Sequence, residues 1–236
     1  MKNIIYALTR GYNTRDGYNW LIQRNESIYE HITSKWDIPM LLFHEGNISQ
    51  SDQEYINALY KGSPITFVNI AEVWTFGYEG MCRFNTLESW KMLKDYDLAL
   101  RIDEDCIINK CETNPFELMT DEDVYLKSVY WAESHSETNA TLPDFIQFLT
   151  GITPDKFYNN KFPYTNVGMA RVSFFNEPPV NILLHTIATS DLQRANRWGD
   201  LPVLGSVLNI FAKDKVGTLN GMSYRHISHN TIIECK

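Results

Sequence analysis

Basic residues are in short supply: 21 Lys and Arg stand against 29 Asp and Glu, a formal charge of −8 over 236 residues. A surface of that sign cannot offer the clustered cations that displace counterions from a polyanion, so neither a nucleic-acid partner nor an anionic membrane surface is expected. The chain lacks any run of about eighteen apolar residues, so no integral membrane segment is expected. The apolar stretch "NIIYALT" at the N-terminus is too short for a signal-peptide core. The chain therefore reads as soluble and cytoplasmic. Its four cysteines, Cys82, Cys106, Cys111 and Cys235, form no C-x-x-C pair, which sets aside zinc-site spacing and leaves reduced thiols. Low-complexity tracts are missing, as is a Gly-rich, Lys-bearing phosphate loop near the N-terminus, which weighs against a nucleotidyltransferase. What is present is an ordered composition, 44% hydrophobic and 13% aromatic, on a chain long enough to form one α/β domain over residues 1–236.

Apolar periodicity predicts a strand at 3–9, a helix at 17–34 carrying Trp20, Leu21, Ile28 and Ile32, and a strand at 39–44. A helix at 51–60, a strand at 65–70, a helix at 84–94 and a strand at 97–102 follow. Strands alternating with helices imply a Rossmann-like α/β fold, its mostly parallel central sheet flanked by helices. The second half is less regular, with strands expected at 123–131 and 166–175 and helices at 142–152, 179–195 and 200–212. The intervening loops "TPDKFYNNKFPYTN" and "QRANRWGD" are of the kind in which acceptor specificity is built over a rigid sheet.

"YDLALRIDEDCII", residues 96–108, ends a buried strand in charge, where Gly, Asn or Pro would be usual. Three carboxylates at a strand tip need water or a cation. Two at i and i+2 can reach one hard ion, and Mn²⁺ or Mg²⁺ so held can also take two oxygens of a diphosphate. This is the chemistry of the Asp-x-Asp site in glycosyltransferases that use nucleotide sugars. Asp121-Glu122-Asp123 repeats the spacing, but it precedes a strand, whereas Asp103-Glu104-Asp105 follows one. Ligands of parallel sheets sit at strand carboxyl ends, so Asp103 and Asp105 are the expected metal ligands and Asp121 and Asp123 a solvated turn.

Three longer blocks carry a resemblance: "YEGMCRFNTLESWKMLKDYDLALRIDEDCI", "NRWGDLPVLGSVLNIF" and "GMSYRHISH". In this order they resemble the fungal Golgi α-1,2-mannosyltransferases of glycosyltransferase family 15. The resemblance implies a GT-A fold, a nucleotide-sugar donor with GDP-mannose favoured, a divalent metal, usually Mn²⁺, a carbohydrate acceptor, and transfer with retention of anomeric configuration. By the same resemblance Asp103 is an acidic residue of the metal site, His226 a further ligand with His229 as its rival, and Tyr78 the residue beside the donor's anomeric carbon. The chain departs from the family at Asn166-Val167-Gly168-Met169, where the family reads Asn-Phe-Glu-Ile with a candidate catalytic Glu. Lacking that carboxylate, the chain is expected to use front-face attack.

The remaining candidates follow from their chemistry. Arg83 and Arg101 are placed to pair bidentately with phosphate oxygens, although Arg101 can equally neutralise its acidic neighbours. Arg10, after the first strand, is expected to touch the nucleotide. Asp200 can cap the helix that starts at Leu201-Pro202 or take sugar hydroxyls. The competing readings are a retaining transferase of another hexose from a UDP donor, a metal-free glycoside hydrolase with paired carboxylates, and a catalytically silent module that binds nucleotides or glycans.

Overall fold

The computed structural model describes residues 1–75, 77–132, 140–159 and 161–236. Four strands, β1 (Asn3–Thr9), β2 (Met40–His44), β3 (Thr66–Asn69) and β4 (Leu98–Ile102), lie parallel. They match the strands read from periodicity. The helices α1 (Asn19–Ile28) and α2 (Gln50–Leu59) provide the crossovers β1–α1–β2 and β2–α2–β3, and α1 continues through a π turn at Tyr29–Thr33. The third crossover starts earlier than its apolar period suggests. Helix α3 (Gly77–Arg83) precedes a π turn at Phe84–Glu88 and the short α4 (Ser89–Met92), so Tyr78 stands on the first turn of a helix, at the sheet's carboxyl edge.

Beyond β4 the chain runs through β5 (Cys106–Cys111), β6 (Tyr125–Lys127) and β7 (Tyr130–Ala132). The expected strand at 123–131 is thus two short strands in different sheets. Next come α5 (Leu142–Thr150), β8 (Lys161–Pro163) and β9 (Val167–Arg171). The strand expected at 166–175 stops at Arg171, and α6 (Val172–Asn176) takes up the rest, packing Phe174 and Phe175 inward. Helices α7 (Pro178–Thr189), α8 (Leu192–Ala195) and α9 (Asp200–Phe211) precede β10 (Val216–Thr218), β11 (Met222–His226) and β12 (Thr231–Glu234).

The central sheet has the order β10-β6-β9-β4-β1-β2-β3, and β9 is its one antiparallel member. Strand alternation divides the core. Leu98, Leu100 and Ile102 face the cluster shared with α1 and β11, while Ala99 faces the cluster that includes Phe84 and Leu93. Arg101 shares the Ala99 face, because side chains two apart along a strand point the same way. A separate sheet, β12-β11-β5, leans on the carboxyl end of β4. None of the described helices is long and apolar enough to cross a membrane.

Candidate active site

The site begins with the turn that ends β4. Asp103 is held at both ends of its peptide: its N–H donates to Asn166 O (2.9 Å) and its carbonyl accepts from Cys106 N (3.1 Å). The chain therefore reverses at once into β5. That strand pairs antiparallel with β11, in a register that sets His226 opposite Cys106. A histidine 121 positions along the chain thereby meets the acidic turn, with Nε2 3.1 Å from Asp105 Oδ2.

The other side of the imidazole is also held. Nδ1 lies 2.8 Å from Tyr164 Oη and 3.0 Å from Asn166 Nδ2, and Ser228 Oγ lies 3.0 Å from Nε2. Asn166 is fixed in turn, its Oδ1 accepting from Tyr224 Oη at 3.1 Å. Burial pushes the Asp105 carboxyl up, but hydrogen bonds from His226 and Ser228 outweigh it and the pKa falls to about 2. Asp105, Cys106 and His226 offer ligand atoms within 4.8 Å of one another. Burial pushes the Cys106 thiol well up, so it stays neutral and the available donors are carboxylate oxygen and imidazole nitrogen. That donor set, with a histidine held at its second nitrogen, can take a divalent cation.

Asp103 has another engagement. Arg101 grips it twice, Nε to Oδ1 at 2.6 Å and Nη2 to Oδ2 at 2.8 Å, and donates through Nη1 to Asp200 Oδ2 at 2.7 Å. Burial alone would pull the guanidinium down, yet Asp103 and Asp200 hold it well above its ordinary value. Arg101 thus neutralises its neighbours, the second of its two expected roles. Asp200 is the first residue of α9, with Gly199 at the N-cap and no side-chain capping bond. Its carboxylate serves Arg101 rather than the helix terminus.

Two adjoining hollows of about 460 and 480 Å³ form a cleft along the sheet's carboxyl edge, and Leu8, Tyr78, Met81, Glu104 and Asp105 border both. Arg10, Trp20, Glu45 and Trp74 line one half; Asp103, Asp200 and His226 line the other, with His229 and Trp131 on its wall. The structure thus brings together Tyr78, Arg10, Arg101, Asp103, Asp105, Asp200 and His226. Arg83 does not border the cleft; its Nη2 lies 3.6 Å from Glu88 Oε1. Asp123 Oδ2 accepts from Thr120 N and Oγ1, closing a local turn away from the cleft.

Gly168 pairs with Arg101 across the sheet. A Cβ built on it would lie 2.0 Å from Tyr125 Oη, so the space a side chain there needs is filled by a buried phenol. Burial raises the Tyr125 pKa, which keeps the hydroxyl protonated.

Residue-by-residue reading missed several supports. Arg24, fully buried in α1, donates through Nε (3.2 Å) and Nη2 (2.8 Å) to Ile102 O, the last carbonyl of β4. Its signal was present: Leu21, Arg24, Asn25 and Ile28 occupy one helical face, where a guanidinium among apolar residues implies a buried acceptor. Glu104 bonds Thr9 Oγ1 and Tyr12 Oη at the end of β1. The roles of Tyr164, Asn166 and Ser228 depend on strand register and had no local signal.

No protein-family model matches the sequence, and no curated protein sequence matches it. Solved structures do match in shape. Core-mannan synthase A (CmsA/Ktr4) from Aspergillus fumigatus, in its Mn/GDP form, superposes with a TM-score of 0.81 at 17% identity, over 96% of this chain and 75% of that one. The mannosyltransferase Ktr4p from S. cerevisiae gives 0.83 at 16% identity, over 95% and 70% of the two chains. Its complex with GDP gives 0.80 at 16%, over 95% and 71%. The fold is that of the GT-A glycosyltransferases, and these structural neighbours are fungal mannosyltransferases.

Proposed function

We propose that the chain is a metal-dependent, retaining glycosyltransferase that moves a sugar, mannose favoured, from a nucleotide diphosphate sugar, GDP-mannose favoured, to a hydroxyl of a glycan or glycoconjugate. The observation that carries this reading is the meeting of Asp105 with an oriented His226 at the carboxyl end of β4, in a fold whose neighbours include a mannan synthase in Mn/GDP form. Asp105 and His226 would hold Mn²⁺ or Mg²⁺, with Asp103 facing the same cleft. A divalent cation bound there supplies Lewis-acid stabilisation of the leaving diphosphate.

The chain's own residues do the rest. Arg10, exposed beyond β1 and packed over the Tyr12 ring, meets the nucleotide's phosphates. Tyr78, at the junction of the two halves, stands beside the anomeric carbon. Asp200, held in place by Arg101, accepts from sugar hydroxyls through its remaining lone pairs. With the protonated Tyr125 hydroxyl where a side chain of residue 168 would lie, no carboxylate is available there as a nucleophile. The acceptor hydroxyl therefore attacks on the face the diphosphate leaves, a leaving phosphate oxygen takes its proton, and configuration is retained.

Isothermal titration of GDP with Mn²⁺, repeated with EDTA, tests the metal dependence. Binding at least about tenfold weaker in EDTA is expected, because uncompensated carboxylates repel a diphosphate. Equal affinity in both would overturn the assignment.

A further inference from the structure

The two halves of the cleft differ in chemistry. One half is bordered by Arg10, Trp20 and Trp74 together with Glu45, Glu104 and Asp105. The other is bordered by Asp103, Asp105 and Asp200 and by the neutral polar groups of Thr165 and Ser228. Its one guanidinium, Arg101, is already shared by two carboxylates. Carboxylate and hydroxyl oxygens in that half can accept from a ligand rich in hydroxyl donors.

The wall of that half is aromatic and already ordered. Trp131, in β7, packs one ring face on Tyr164 with centroids 4.5 Å apart and planes 9° from parallel. His229 meets it edge-on at 5.8 Å and lies 4.5 Å from His226. Tyr164 also bonds His226 Nδ1, so a continuous chain of rings runs from the candidate metal ligand out to Trp131. Backbone pairing of Trp131 with Phe162 on β8 fixes the ring's origin. A ring held this way loses little freedom when a ligand lands on it.

We propose that Trp131, backed by Tyr164 and flanked by His229, is the platform on which a neutral pyranose of the acceptor stacks its C–H face, with Asp200, Thr165 and Ser228 taking its hydroxyls. A hexose suits both surfaces: its ring hydrogens form an apolar patch for an aromatic face and its rim presents donors to carboxylate and hydroxyl oxygens. The inference rests on the transferase reading and adds to it the place and the chemistry of acceptor recognition.

Saturation-transfer NMR tests it on the full chain with GDP and Mn²⁺, using methyl α-mannopyranoside and methyl α-glucopyranoside in parallel. The wild type should transfer saturation to the ring hydrogens of at least one glycoside. Trp131→Ala should weaken that signal at least tenfold, and Trp131→Phe, which keeps a flat ring, should retain most of it. Thermal melts report that both variants are folded, and titration of GDP with Mn²⁺ separates the platform from the donor site: a Trp131→Ala variant that loses GDP and glycoside together places the residue in support of the metal site and overturns the platform. If wild-type protein binds GDP but shows no glycoside signal, or if the signal survives Trp131→Ala, the platform is overturned and the transferase reading stands. A Trp131→Phe variant as weak as Trp131→Ala also overturns the stacking role. If the wild type fails to bind GDP with Mn²⁺, the transferase reading falls, and the platform with it.

Discussion

Adjacent carboxylates in one turn have opposite fates. Asp105, hydrogen-bonded by His226 and Ser228, is held down to about 2, so it contributes stability above its unfolded value that is lost as pH falls towards about 2. Glu104 goes the other way: burial raises it despite Thr9 and Tyr12. Across the raised window the folded protein keeps a proton that the unfolded chain has released, so stability from this group grows as pH falls through the folded value, and ionised Glu104 weakens the fold above it. Glu104→Gln should therefore raise the melting temperature at about pH 7.5, and the gain should shrink to nothing below the unfolded value of about 4.3; melts across that range measure it. For activity, Asp105→Ala should lower transfer at least about 100-fold, since a lost ligand or its support costs that much. Asp121→Ala and Asp123→Ala should leave initial rates near wild type. Asp103→Ala is the less clean variant, because it strips two hydrogen bonds from the buried Arg101 and should cost stability along with activity.

Arg101 of β4 borders the cleft and pairs with Gly168 of β9, and the fit between β9 and β6 explains how the chain does without a side chain at residue 168. Tyr125 is buried on β6, its hydroxyl directed at the Gly168 backbone. Gly168→Glu by itself should destabilise by about 1–3 kcal/mol through overpacking, a fall in melting temperature on the order of 5 °C for a chain of this size. Adding Tyr125→Ala should recover at least half of that loss, and paired thermal melts of the single and double variants read the coupling. The parallel strands and the crossover helices α1 and α2 were legible because apolar runs and helical spacing report local structure. The split of 123–131 into β6 and β7, and the end of β9 at Arg171, were not. Both halves of each stretch are equally apolar, and only their partners in space tell them apart.

At the scale of the whole molecule, the proposed front-face attack is a single displacement. The product should keep the donor's anomeric configuration, and no covalent sugar adduct should form on the protein. Proton NMR of fresh product reads the first and intact-protein mass spectrometry with donor alone the second. An inverted product would overturn the assignment to a retaining transferase; a trapped adduct would overturn front-face attack alone. By itself the sequence determined the alternating α/β order, the acidic turn at the carboxyl end of β4, and the resemblance that singled out Tyr78 and His226, because periodicity and short motifs are local. Only the tertiary structure decided the rest. The β5–β11 register carries His226 to Asp105 across 121 positions, Arg101 is taken up by Asp103 and Asp200, Arg83 turns to Glu88, and the Trp131–Tyr164 stack forms from separate strands. Each depends on which residues face one another across a sheet, and a one-residue slip in pairing would send every such side chain to the opposite face.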